Sequence, residues 1–254
     1  MTVVVAASVV AVQTVSPSVV RITLGGLGGV CCNGFDQRMK LLFARDGDLV
    51  LPSREDWWGS YRALPDDVRP VMRTFTIRSQ DPGTGRLDVE FALHGVAGPA
   101  SAWASRAQVG STVGVIAAAV PDAARAATAY EPGGADWQLL VGDDTALPAI
   151  AAILETLPAS AVARVIVRVP TPADVRVLPT PGRDVSVTWL TGPASLAPAV
   201  AALDLPDGVP YAWVAGEAAD VRDVRRHLVG ERGWTAKQHY FGGYWRAGVS
   251  EDAA

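Results

Sequence analysis

Arg73-Thr74-Phe75-Thr76 puts a guanidinium, an aromatic ring and two hydroxyls within four residues. On an extended strand Arg73 and Phe75 share one face, while Thr76 points to the other. Such a set can hold a phosphate, cover a flat ring and donate a hydrogen bond to it. A half-buried strand would carry the same residues for packing alone. Downstream, Gly98-Pro99-Ala100-Ser101-Ala102-Trp103 reads as a small-residue turn opening a short helix. Its backbone N–H groups and the Ser101 hydroxyl suit an anion, and Trp103 would pin the helix to the core. In the second half, Gly142-Asp143-Asp144-Thr145 and Gly216-Glu217 each follow an apolar run. Turns at the carboxyl ends of buried strands are where open α/β sheets take ligands. The first turn is not a GxGxxG, and its two acids make it a poor pyrophosphate cradle; Asp144 or Thr145 is expected to cap the next helix. Glu217 and Asp220 serve a ligand or, equally, the positive end of the helix that follows. Tyr244 and Trp245 either cover a flat ring or close the last strand as core aromatics.

Other chemistry is excluded by type and spacing. Cys31 and Cys32 are adjacent, which suits neither an ordinary disulfide nor a metal site. His94, His227 and His239 show no metal-binding spacing, so no protein-held metal is expected. Net charge is −4, which leaves no footprint for nucleic acid. All basic residues but Lys40 and Lys237 are arginine, which reflects either genome composition or recognition of bidentate anions. No apolar run is long enough to span a bilayer. The apolar start, Met1 to Val12, lacks a basic leader and reads as a strand, so no membrane association and a cytoplasmic location are expected.

The elements that position these residues come in two rhythms. Up to about Val120 the chain reads as short strands punctuated by Gly, Pro and Asp: 19–24, 39–43, 73–78, 87–94 and 112–117. That pattern suits an antiparallel barrel. Residues 123–134 lose periodicity and end in Glu131-Pro132-Gly133-Gly134, which places the boundary between domains 1–133 and 134–254. Beyond it, strands at 137–141, 161–169, 185–190 and 211–215 alternate with helices. One helix spans 148–157, and another carries Val221, Val224 and Leu228. Alternation of this kind implies a doubly wound α/β sheet.

Taken in order, these segments resemble the siderophore-interacting proteins, flavin-dependent ferric-siderophore reductases of the ferredoxin-reductase superfamily. The resemblance runs over nearly the whole chain. It rests on Arg38-Met39-Lys40-Leu41-Leu42-Phe43, on 67–78, on 91–104, on Gly142-Asp143-Asp144-Thr145-Ala146-Leu147-Pro148-Ala149, on Trp213-Val214-Ala215-Gly216-Glu217 and on the closing Gly243-Tyr244-Trp245-Arg246-Ala247-Gly248. It implies an N-terminal FAD-binding β-barrel followed by a nucleotide-binding α/β domain. Arg73 and Thr74 would then contact FAD, Phe75 would lie against its ring system, and Thr76 would hydrogen-bond near the reacting nitrogen. His94, Gly98, Ala100 and Ser101 would line the ribityl–pyrophosphate portion. Gly142, Asp144, Thr145, Gly216 and Glu217 would face NADH or NADPH, and Tyr244 and Trp245 would cover the flavin. Thr76 and Trp245 are the residues assigned to the reaction itself.

The chain departs from the family pattern at three places. Phe75 replaces a tyrosine, Ala117 to Val120 replaces a Gly-Pro turn, and Arg38 stands where histidine is expected. The expected activity moves electrons from NAD(P)H through flavin to an Fe(III)–siderophore, releasing Fe(II), with Lys40, Lys237 and Arg246 receiving the anionic chelate. The acidic turn keeps open a flavin reductase fed by ferredoxin, and the departures keep open a siderophore- or flavin-binding protein without turnover. After the second strand of the α/β half, Asp174 suits a ribose hydroxyl and Arg176 a 2′-phosphate, so the sequence does not choose between NADH and NADPH.

Overall fold

The computed structural model describes residues 1–93 and 98–249. The chain divides into two compact units, Met1–Thr128 and Ala129–Ala254.

The first unit contains β1 (Thr2–Ser16), β2 (Val19–Gly25), β3 (Arg38–Phe43), α1 (Trp57–Ala63), β4 (Val71–Thr76), β5 (Ser79–Asp81), β6 (Arg86–Ala92), α2 (Pro99–Ala104), β7 (Thr112–Ala118) and α3 (Pro121–Ala126). Its seven strands form one antiparallel sheet in the order β4-β3-β7-β1-β2-β6-β5. The inward residues alternate, as a pleated strand requires. Met39, Leu41 and Phe43 of β3, Ile22 and Leu24 of β2, Val89 and Phe91 of β6 and Val113 and Val115 of β7 all meet in one core. Phe75 lies on β4, at one end of the strand order, and Phe91 on β6, next to the other end, yet their ring centroids are 4.5 Å apart. The sheet therefore curls until its two ends meet, a barrel with a seam beside the edge strand β4. Trp103 of α2 closes the seam, packing on Phe43 at 5.4 Å and Phe91 at 5.7 Å.

The second unit contains β8 (Trp137–Asp143), α4 (Leu147–Glu155), β9 (Val162–Val169), β10 (Asp184–Thr191), α5 (Leu196–Ala201), β11 (Pro210–Glu217), α6 (Ala218–Arg225) and β12 (Tyr240–Trp245). All five strands are parallel, in the order β10-β9-β8-β11-β12. Every residue of β8 is buried, as expected of a strand covered on both faces. Leu196 and Val200 of α5 and Val221 and Val224 of α6 share a core with Trp137, Leu139 and Val141. The strand order reverses between β8 and β11, so the crevice beyond their carboxyl ends is the expected ligand position. The 123–134 stretch, which shows no period in sequence, begins inside α3.

Candidate functional site

In the first unit the edge strand β4 pairs with β3 alone, with Arg73 opposite Leu41 and Phe75 opposite Met39. Directly paired residues of an antiparallel sheet share a face. Arg73 and Phe75 thus sit on the inward side at the seam, while Thr74 and Thr76 sit opposite Lys40 and Arg38 on the other. Arg73 is half-buried, and its Nη1 donates to the Met72 carbonyl at 2.9 Å. Thr76 is buried, Thr74 is exposed, and Lys40 Nζ donates to Thr74 Oγ1 at 2.6 Å. Gly98 precedes α2 in extended conformation, and the Ala102 N–H reaches the Gly98 carbonyl at 2.8 Å. Ala100 packs on the core and Ser101 is half-buried. A Cβ at Gly98 would meet none of the described residues within 4 Å. His94 lies outside the described residues. A guanidinium and an aromatic ring on one face at the seam fit a flavin dinucleotide: an arginine for phosphate and a flat surface for the ring.

In the second unit the carboxyl ends of β8, β11 and β12 converge on Asp143, which is 1% exposed. Its Oδ1 accepts from the Thr145 N–H at 3.0 Å, the Thr145 hydroxyl and the Ala146 N–H at 3.3 Å. Its Oδ2 accepts from the Glu217 N–H at 2.8 Å and from Trp245 Nε1–H at 2.8 Å. Arg168 Nη2 stands 4.0 Å away, and the same guanidinium pairs with Asp220 at 2.7 Å. Gly216 has φ +136°, and a Cβ there would fall 2.6 Å from Asp143 Oδ2. Only glycine leaves room for this carboxylate. Glu217 caps α6: its Oε2 accepts from the Ala219 and Asp220 N–H groups, and its Oε1 from the Ala247 N–H at 3.2 Å. Burial pushes the Glu217 carboxyl up, but those N–H groups and Arg168 together hold it below the usual carboxylate range.

The structure brings Gly142, Thr145, Gly216, Glu217 and Trp245 together around a residue that sequence reasoning passed over. The expected capping by Asp144 or Thr145 does not occur. The cap of α4 is Ala146, without a side-chain bond, and the Asp143 carboxylate serves the turn instead. The Thr145 hydroxyl is spent on Asp143, and Asp144 is buried. A signal for Asp143 did exist: it closes the apolar run of β8, where the chain first leaves the sheet. Tyr244 is half-buried and lies edge-on to the buried Trp213 at 6.2 Å. Asp174 is buried and accepts from the Thr171 N–H at 3.1 Å and hydroxyl at 2.7 Å, so its carboxylate belongs to a turn. Lys40 belongs to the first unit, and Lys237 and Arg246 to the second. Lys237 precedes the six residues of β12 and Arg246 follows them.

Comparison with known proteins agrees on both halves. Residues 8–122 match the model of the siderophore-interacting FAD-binding domain, and residues 135–248 that of the siderophore-interacting protein. The ferric vibriobactin reductase ViuB of Vibrio cholerae is 34% identical over 94% of this chain and 88% of its own length. A siderophore utilization protein from T. fusca superposes with a TM-score of 0.82 at 31% identity, over 98% of this chain and 95% of that one. The siderophore-interacting protein SipS of Aeromonas hydrophila superposes at 0.79 with 33% identity, over 98% and 94% of the two chains. No helix among the described residues is long and apolar enough to cross a membrane.

Proposed function

This chain belongs to the siderophore-interacting protein family, and from that membership we propose that it is an FAD-dependent reductase of ferric siderophores, fed by NADH or NADPH in the cytoplasm. The observation that carries the reading is the barrel seam, where Arg73 and Phe75 share one face of an edge strand within the segment matching an FAD-binding domain.

When bound, FAD supplies the link between a two-electron hydride donor and an acceptor that takes electrons singly. The chain's residues bind and orient. Arg73 would pair with the cofactor phosphates, with Gly98, Ala100 and Ser101 closing around the pyrophosphate and Thr74 at the rim. Phe75 would offer an apolar surface to the ring system, and Thr76, buried at the end of β4, is the hydroxyl we assign to the reacting nitrogen. In the second unit the β8–α4 and β11–α6 turns, with Gly142, Thr145 and Gly216, would receive the nicotinamide dinucleotide. Trp245 would shield the reacting face from water. Ferric iron arrives as substrate inside a chelate of hard oxygen ligands, and reduction weakens their hold. Release follows from reduction, so no proton relay among side chains is needed. Lys40 in the first unit and Lys237 and Arg246 in the second are the cations we offer as candidates for an anionic chelate.

Steady-state reduction of a ferric chelate tests this reading, with NADH, NADPH and reduced ferredoxin compared as donors. Turnover with a nicotinamide supports it. Turnover with ferredoxin alone would move the donor assignment while leaving the flavin intact. Bound FAD without turnover from any donor would leave only a binding protein.

A further inference from the structure

Asp143 has no part in the reading above, yet it is the most heavily hydrogen-bonded side chain at the crevice. A buried carboxylate is tolerated only when its oxygens are satisfied. Here the two oxygens are divided by destination. Oδ1 serves the turn after β8, through Thr145 and Ala146. Oδ2 reaches across the sheet, to the backbone of β11 at Glu217 and to the indole of Trp245.

Two irregularities make that reach possible. Gly216 vacates the space a side chain would need, since a Cβ there would overlap the carboxylate. The pairing of β11 with β12 also slips by one residue: Gly216 faces Gly243, but Glu217 faces Trp245. Tyr244 is the extra residue, and such a bulge re-aims the side chain that follows it. Without the slip, Tyr244 would occupy the position opposite Glu217. Glu217 then fixes the backbone just beyond, through Oε1 and the Ala247 N–H.

We propose that Asp143 is a positioning residue for Trp245: by accepting the indole Nε1–H it sets the orientation of the one ring on β12 that the reaction uses. The inference rests on the role assigned to Trp245 under the proposed function. Every contact it invokes lies within the second unit.

The test is a double-mutant cycle on kcat for ferric-chelate reduction, with D143N and W245F. An asparagine presents one acceptor and one donor, so in either rotamer it sets N–H against N–H on one side. W245F removes the donor and leaves Asp143 intact. If Asp143 acts through Trp245, each variant lowers kcat and the double variant is no slower than W245F, within about twofold. Effects that multiply would overturn the inference while leaving the role of Trp245 standing. An unchanged kcat in W245F would overturn that role and the inference with it. Should D143N fail to fold, solvent exchange of the Trp245 Nε1 proton in the wild type and in T145V carries the test by itself. Slow exchange in both, because T145V leaves the Oδ2 side untouched, is the expected result. Fast exchange in the wild type would overturn the hydrogen bond on which the proposal stands.

Discussion

Phe75 stands 4.5 Å from Phe91 and edge-on to Phe43, so the barrel core orients its ring. Phe75→Tyr therefore adds a hydroxyl to a ring already held in place. We expect FAD affinity to rise by about 0.5–1.5 kcal/mol, one net hydrogen bond. Fluorescence titration of FAD measures it, and unchanged affinity would mean that position 75 does not face the cofactor. Arg73→Ala should weaken FAD binding by roughly 1.5–3 kcal/mol, as expected for a hydrogen bond to a charged group. Arg73→Lys should recover only part of it, because an ammonium lacks the planar fork. The faces of β4 were legible in the sequence, because a strand's period of two leaves no choice once the strand is recognised. Which acid of the buried Asp143–Asp144 pair reaches β11 and Trp245 was not. The end of the apolar run marks Asp143, but its reach depends on space at Gly216, far along the chain.

The parallel sheet was the most legible element, since β8, β9 and β11 are apolar runs bounded by turn residues. The short helices α1 and α3 were not. No residue of α1 is buried and only Ala124 of α3 is, so neither shows an apolar stripe. Gly216→Ala tests the close approach of β11 to Asp143. Its positive φ and the missing space should together cost about 1–3 kcal/mol in thermal unfolding. Gly134→Ala, where a Cβ meets nothing within 4 Å, is the control and should change little. The start of β12 supplies a pH test. His239 Nδ1 accepts the Ala212 N–H at 3.2 Å, which requires a neutral ring, and burial lowers its pKa from the usual 6.5. The unfolded chain therefore takes up this proton first. The stabilisation is whole above pH 6.5, declines as pH falls below it and levels off beneath the folded value. His239→Gln keeps an acceptor but does not titrate, so its melting temperature should fall less between neutral and mildly acidic pH. An identical slope in both proteins would remove His239 as the cause.

Across the whole molecule, two units with separate cores divide the labour, one matching an FAD-binding domain and the other carrying the nucleotide-type crevice. The change of rhythm near residue 120 made two units visible in the sequence, because antiparallel strands and strand–helix repeats bury their surfaces differently. The barrel seam was not visible there. It arises only when β4, at one end of the strand order, and β6, next to the other, come into contact. A fragment of residues 1–128 should bind FAD with affinity close to that of the full chain. Loss of binding in a folded fragment would show that the second unit contributes directly. The most direct test of the reductase reading is an anaerobic absorption spectrum of the FAD-loaded protein, taken after a nicotinamide and again after a ferric chelate. We predict flavin bands that bleach with the donor and return with the chelate as Fe(II) appears. Bands that bleach but stay bleached when the chelate is added would contradict it.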